Sequence, residues 1–213
     1  MTSNSKNGLI RGKDGKLRCF WPGEHLDYLA YHDDEWGLPV ADDHRLFEKI
    51  SLEGFQSGLS WITILRKRDN FREAFADFDF IRIAKYGERD IKRLLKNAGI
   101  VRHRGKIEST INNAKRAREM ADEFGSLGAF FWHYEPDASA QLNNLECETL
   151  AIPTKTPESI ALAKDLKKRS WSFIGPTTAY AFMQGMGMVN DHIEGCCARA
   201  RAEKVRRRFK RPT

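Results

Sequence analysis

Four side chains of this 213-residue chain have the chemistry of a metal chelate. His192 and Cys196 stand four apart in Asn190-Asp191-His192-Ile193-Glu194-Gly195-Cys196. One helical turn or a tight loop brings both side chains to one side. Cys19 and His32 lie near the opposite end of the chain. Two thiolates and two imidazoles form a closed tetrahedral set, which suits a structural zinc and leaves no open position for a reactive water. Such a clasp ties the start of the core to its end. Cys197 is a rival to Cys196. The same spacing also fits a buried cysteine beside a surface histidine, or a His32 that acts in catalysis.

A second group surrounds a carboxylate. Tyr28, Tyr31, Trp36 and Trp61 are interleaved with acids, and Glu53 interrupts an apolar helix face between Leu52 and Gly54. A carboxylate buried there is costly unless it is paired or hydrogen-bonded. A cationic, hydrogen-bonding ligand would supply the pairing, and aromatic faces attract cations. Core aromatics around a salt-bridged glutamate fit the pattern as well. A third stretch, Phe173-Ile174-Gly175-Pro176-Thr177-Thr178, has the character of a turn that opens a helix. Free N–H groups at Thr177 and Thr178, with Gly175 allowing a tight bend, suit a DNA phosphate. A plain helix connection would look the same.

The elements that must hold these groups read as helices. Asp42 and Asp43 precede Leu46, Phe47 and Ile50, and Ser60 precedes a short apolar run to Leu65. Residues 87–96 and 104–124 keep a helical apolar rhythm, and Thr156-Pro157-Glu158 is a helix-start signature. Residues 160–169 and 177–186 complete the set. With no sustained period-two alternation, the expected fold is all-α, with eight to ten short helices. Residues 1–15 and 203–213 are expected to be mobile.

Charge is unevenly spread. The chain carries net +7, with a pI near 9.3. Residues 199–213 hold eight bases and one acid, and residues 1–18 hold five bases and one acid. Residues 19–53 hold nine acids and two bases, residues 66–118 sixteen bases and seven acids, and residues 119–154 seven acids and no base. A basic face beside a negative pocket is one reading, and ordinary solvated helix surface is the other. No run approaches the roughly 20 apolar residues of a membrane helix. Residues 1–18 lack the apolar core of a Sec signal. Four cysteines are too few for a disulfide scaffold, so a reducing cytosol is expected.

Taken together the motifs resemble the DNA-3-methyladenine glycosylase I family. The resemblance rests on Arg18-Cys19 with Trp21, Ala30-Tyr31-His32-Asp33 with Glu35-Trp36-Gly37, Leu52-Glu53-Gly54, and Gly58-Leu59-Ser60-Trp61-Ile62-Thr63. It continues through Ala98-Gly99-Ile100, Arg102-His103-Arg104-Gly105-Lys106-Ile107, Phe173-Ile174-Gly175 with Thr177-Thr178, and Gly187 with Val189-Asn190-Asp191-His192 and Gly195-Cys196-Cys197. It implies the helix–hairpin–helix glycosylase fold, two helical lobes with a pocket between them, over residues 18–198. A flexible basic segment, 1–17, and a basic tail, 199–213, are expected to flank it.

The resemblance further implies one structural zinc held by Cys19, His32, His192 and Cys196. It implies a base pocket of Glu53, Tyr31 and Trp61, with Trp36 and Tyr28 nearby, and DNA contacts from Gly175, Thr177 and Thr178. Leu59 is a candidate wedge into the DNA stack, or ordinary packing. Asp191 is not expected to be a catalytic acid, because it adjoins His192. The implied activity is monofunctional excision of N3-methyladenine in base excision repair. Alkylated double-stranded DNA is the substrate, and free 3-methyladenine the product. A cytoplasmic monomer without membrane association is expected, with the tails adding salt-sensitive DNA affinity. The competing reading is a helical module that binds damaged DNA without catalysis and needs no aromatic–Glu53 pocket.

Overall fold

The structure is a computed structural model that describes residues 8–137 and 153–213. In chain order these form β1 (Leu9–Arg11), β2 (Leu17–Cys19), α1 (Leu26–Asp34), α2 (Asp43–Gln56), α3 (Trp61–Leu65) and α4 (Arg68–Ala74). A single turn at Ala76–Phe78 leads to α5 (Phe80–Ile83), α6 (Glu88–Lys96), α7 (Arg104–Phe124) and α8 (Leu127–Trp132). Then come α9 (Pro157–Lys168), α10 (Pro176–Gly185) and α11 (Arg199–Arg208). No helix among the described residues is long and apolar enough to cross a membrane.

The chain divides into two compact units. The first comprises Met1–Pro39, Glu135–Thr154 and Met183–Lys210, and the second Val40–Tyr134, Lys155–Phe182 and Arg211–Thr213.

In the second unit local chemistry sets the helix ends. The Asp42 carboxylate accepts the Arg45 N–H at 2.9 Å and starts α2. Asp43 accepts the N–H groups of Leu127 and Gly128 at 3.1 and 2.9 Å, so one acid of α2 satisfies the start of α8. Thr156 Oγ1 accepts the Ser159 N–H before Pro157 opens α9. Gly125, at φ 81°, ends α7 in the left-handed region, which favours glycine. The core is aromatic. Phe47, Phe55, Phe71, Phe75 and Phe78 are fully buried, and the Phe55 and Phe71 rings lie 4.6 Å apart. Ala76, Asp77 and Phe78 all have positive φ, 51°, 54° and 57°, a left-handed turn that sends Phe78 back into this core.

In the first unit β1 and β2 pair antiparallel, Leu9 opposite Cys19. Leu9, Cys19, Ile193, Cys196 and Ala198 form one buried apolar cluster.

The fold departs from the sequence expectation in three ways. The described residues hold eleven α-helices and a two-stranded hairpin, so the chain is mostly helical and not purely α. Strands of three residues are too short for alternation to register. Within 1–17, the segment expected to be flexible, residues 9–11 form a strand that pairs with residues 17–19 at its border, because Leu9 has the Cys19 cluster to cover; residues 1–7 lie outside the described residues. The expected basic tail is a helix, α11, with a buried arginine. Arg206 donates to the carbonyls of Gly187 and Met188 at 2.8 and 2.9 Å and to Glu135 at 3.0 Å. Arg199 donates to the His192 carbonyl, and Arg201 bonds Asp34 at 2.7 Å. Three arginines of the tail therefore serve the fold. Part of the acidic stretch 119–154, including Glu146 and Glu148, lies outside the described residues.

Candidate active site and metal centre

In the first unit Cys19, His32 and Cys196 converge. One ligand atom from each lies within 4.8 Å of the others, and all three residues are buried. β2 delivers Cys19, α1 delivers His32, and the loop before α11 delivers Cys196. His32 Nε2 is 3.5 Å from Cys196 Sγ. Cys197, the rival, is exposed. His192 stands at the edge of the cluster. Its ring is 5.0 Å from that of His32, and its Nε2 approaches the His32 carbonyl at 3.4 Å. Three of the four expected ligands are thus brought together, with His192 beside them.

The outer atoms of these side chains are already held. His32 Nδ1 meets Asp33 Oδ1 at 2.8 Å, and His192 Nδ1 meets Asn190 Oδ1 at 2.8 Å. Both rings therefore keep Nε2 on the inner side. The Ile193 N–H donates to Cys19 Sγ at 3.4 Å. Arg18, itself buried, forks onto both Asp33 oxygens and onto Asp14. Carboxylate–histidine support and N–H···S bonds are the usual surroundings of a metal ligand set. The donor chemistry, two sulfurs with imidazole nitrogen, fits a structural zinc.

The two sulfurs are shifted in opposite directions. A hydrogen bond to the Cys196 sulfur, with burial, pushes the Cys19 thiol up; that bond and His32 pull Cys196 down to about 3. Burial pushes His192 down to about 4, so its imidazole is neutral at pH 7. Burial raises Asp33, but Arg18 and His32 together hold it below the usual carboxylate range.

Aromatic rings wall this cluster. Trp36 packs 4.7 Å from the His192 ring, and Trp21 packs 5.1 Å from His32, 5.0 Å from Trp36 and 4.9 Å from Tyr28. Tyr31 is buried in α1, 6.4 Å from both Trp21 and Tyr28. Gly37, at φ 79°, closes the wall: a Cβ there would stand 2.9 Å from His192 Cε1. Asp191 is buried and accepts from Gln184 at 2.7 Å, which fits a structural role.

In the second unit Glu53 and Trp61 are brought together by the turn between α2 and α3. Glu53 is buried, as expected, but its pairing is internal. Lys49, one turn earlier on α2, reaches Glu53 Oε1 with its Nζ at 2.6 Å. The same Nζ lies 3.4 Å from the Trp61 ring centroid. The turn itself carries Leu59 half in solvent, with Gly58 at φ 79° and the Leu59 N–H bonded to the Gln56 carbonyl. Lys106 of α7 holds the end of α2 from below, donating to the Phe55 and Ser57 carbonyls at 2.8 and 2.6 Å, and burial lowers its pKa.

The connection between α9 and α10 spans residues 169–175. Gly175 and Thr177 are exposed and Thr178 half-buried, at the start of α10. Polar side chains of α7 clamp this connection. Asn113 bonds the Ser172 N–H and carbonyl, both at 3.0 Å; Ser109 bonds the Ser172 carbonyl at 3.0 Å, and Asn112 the Ser170 carbonyl at 2.7 Å. A small polar cavity of about 10 Å³ lies among Ser51, Lys106, Ser109, Asn113 and Ser172. That volume suits roughly one water, with the otherwise unbonded Ser51 Oγ as a partner.

Several of these residues escaped the sequence reading. Lys49 had a legible signal, a base four residues before Glu53 on an acidic stretch. Trp21 entered the resemblance beside Arg18-Cys19 but was given no role there. Ser109 and Asn113, also four apart, had none without their distant partners.

The chain is similar to known proteins over most of its length. The model of the methyladenine glycosylase family matches residues 21–200. The chain is 47% identical over 181 residues to DNA-3-methyladenine glycosylase 1 of Escherichia coli, covering 84% of this chain and 95% of that one. It is 48% identical over 179 residues to the DNA-3-methyladenine glycosylase of Haemophilus influenzae, covering 84% and 96%. A crystal structure of 3-methyladenine DNA glycosylase I superposes with TM-score 0.78 at 51% identity, over 84% of this chain and 98% of that one. The Staphylococcus aureus enzyme, solved for its recognition of 3-methyladenine, superposes with TM-score 0.80 at 33% identity, over 85% and 96%. With a family model spanning most of its length and relatives near half identity, this chain belongs to the methyladenine glycosylase family.

Proposed function

We infer that the protein is a DNA glycosylase that excises 3-methyladenine from alkylated DNA by hydrolysis of the N-glycosyl bond. The observation that carries this is the family match over residues 21–200, which contains a buried carboxylate, Glu53, beside an aromatic face. Methylation at N3 makes the base a cation and a good leaving group, so strong acid catalysis of its departure is unnecessary. The target bond is hidden in the duplex, and the nucleotide must be flipped out; a damaged base unpairs more cheaply. Leu59, exposed on its glycine turn, is suited to fill the vacated stack. Glu53 accepts hydrogen bonds from the adenine edge and favours its positive charge. Trp61 offers its ring face to the base, and Tyr31, Tyr28 and Trp36 are the further aromatic residues assigned to base binding in this reading. Selection, distortion and water access carry more of the rate than a dedicated base.

The α9–α10 connection acts as the hairpin of a helix–hairpin–helix element. Gly175 and the N–H groups of Thr177 and Thr178 hold a DNA phosphate without reading sequence. Cys19, His32 and Cys196, with His192 as the fourth ligand, hold a structural zinc that closes the first unit. Zinc there supplies folding energy and takes no part in base release. The deciding test is release of free 3-methyladenine from methylated DNA by the purified protein. Binding to methylated DNA without base release would instead favour a damage-binding module.

A further inference from the structure

We propose that Lys106 is a positioning residue for base flipping. It anchors the turn that carries Leu59, and the same face of α7 anchors the α9–α10 connection, which keeps wedge and phosphate clamp in register on one duplex. This rests on the reading of Leu59 as the wedge and of residues 175–178 as the clamp. Lys106 sits where a lysine has little to gain. It is the third residue of α7, where the positive end of the helix dipole disfavours a cation. It is 8% exposed, and no carboxylate among the described residues offsets the burial that lowers its pKa. What holds it is a pair of carbonyls: Nζ donates to Phe55 at 2.8 Å and to Ser57 at 2.6 Å. These lie at the end of α2, where the last carbonyls lack intrahelical N–H partners and favour a cation.

Ser57 immediately precedes Gly58 and Leu59. Gly58 has φ 79°, and a Cβ there would meet nothing within 4 Å, so the turn stands clear of its surroundings. Leu59 is 42% exposed, and its N–H bonds the Gln56 carbonyl at 2.6 Å. Fixing the Ser57 carbonyl therefore fixes the base from which Leu59 projects. Farther along α7 the same face holds the other element. Ser109, one turn on, and Asn113, one turn beyond it, each bond the Ser172 carbonyl at 3.0 Å. The end of α2 also packs closely on the connection: a Cβ at Gly54 would stand 3.6 Å from Ile174 Cδ1 and 3.7 Å from the Phe173 carbonyl oxygen. Leu59 and Gly175 are far apart in sequence, yet they must engage one duplex at once. A misplacement of about 1 Å in a catalytic arrangement costs on the order of 100-fold in rate. The glycine turn supplies no rigidity of its own, whereas a buried anchor on a long helix does.

Single-turnover release of 3-methyladenine from methylated duplex, with the full chain in saturating excess and spontaneous loss subtracted, separates placement from binding. Lys106→Met should slow release about tenfold and leave the dissociation constant for undamaged duplex within about twofold. Leu59→Ala should also slow release about tenfold, and the double variant no more than about twentyfold, because a wedge already out of place has little left to lose. Independent roles predict about a hundredfold for the double variant, and that result overturns the proposal. So does unchanged release by Lys106→Met, or a loss of duplex affinity as large as the loss of rate. If Lys106→Met does not fold, Lys106→Gln takes its place in the cycle, with the same outcomes; its shorter side chain cannot span both carbonyls. Release at the parent rate by Leu59→Ala is a different failure: the wedge reading falls, and the proposal with it.

Discussion

Two buried polar clusters, one in each unit, solve the same problem in opposite ways. At Cys19, His32 and Cys196 the inner atoms are electron-pair donors, and supporting bonds come from behind, through Asp33, Asn190 and the Ile193 N–H. At Glu53 the inner atoms are opposite charges, and Lys49 satisfies the carboxylate from the same helix. The first cluster is a donor set that could hold a metal ion; the second carries a cation of its own. A binding site that must open and refill gains from an internal partner, because a buried charge left alone is costly. A structural site has no such need, and its ligands can be locked from the outside.

The largest expected effect separates chemistry from folding at the second cluster. Glu53→Gln should reduce excision by roughly 100-fold or more, measured as 3-methyladenine released from methylated DNA. It should also destabilise the protein by about 3–5 kcal/mol, because Lys49 is left buried without its carboxylate. Pairing it with Lys49→Met should restore much of the stability and none of the excision. If the single variant melts like the parent, the internal pair is not what satisfies Glu53.

At the first cluster Cys196→Ser, or chelation, should lower stability by at least about 3 kcal/mol while elemental analysis shows zinc lost. A metal-free protein of full stability would erase the contrast between the clusters.

A titration sharpens the same point. His192, pushed down to about 4, is neutral in the fold and takes a proton below about 6.5 when unfolded. Its contribution to pH dependence is therefore nil above pH 6.5, and stability falls as pH drops toward 4. The loss is on the order of 3 kcal/mol, with the steepest change between those values. Denaturant melts of metal-depleted protein should show this limb, and His192→Gln should flatten it.

Gly37→Ala should cost about 2 kcal/mol, since φ is 79° and the new methyl would meet the His192 ring. Thermal melts should fall accordingly, and zinc content with them. The smallest change is a control in the second unit. Ala76→Gly relieves a left-handed φ of 51° and should add up to about 1 kcal/mol without altering zinc content or base release.

The electrostatic reading changes most between sequence and structure. Part of the basic stretch 66–118 is paired: Arg72 with Glu48, Arg104 with Glu88 and Glu108, Arg116 with Glu119. The terminal +7 stretch gives Arg199, Arg201 and Arg206 to hydrogen bonds within the first unit. Counting charges along a chain cannot tell a phosphate-facing arginine from one that caps carbonyls, because the partner is chosen by burial. Removing residues 202–213 would thus remove the buried Arg206 and its bonds to Gly187 and Met188, and so weaken the first unit.

What the sequence determined by itself was local. Asp42, Thr156-Pro157 and Gly125 set helix ends through bonds that span only a few residues, so α2, α7 and α9 fall close to where the pattern put them. The identities of the metal-type ligands and of Glu53 were also legible, since few residue types can do that chemistry. Tertiary structure decided the partners. Cys196 meets His32 across 164 positions, Asn113 holds Ser172 across 59, and Lys106 reaches Phe55 across 51. Even the short-range Lys49–Glu53 pair is enclosed only because α3 returns Trp61 over the ammonium. Spacing along a helix specifies which side chains can meet. Burial decides whether their meeting matters, because the same charges that are worth little in water command the site once water is excluded.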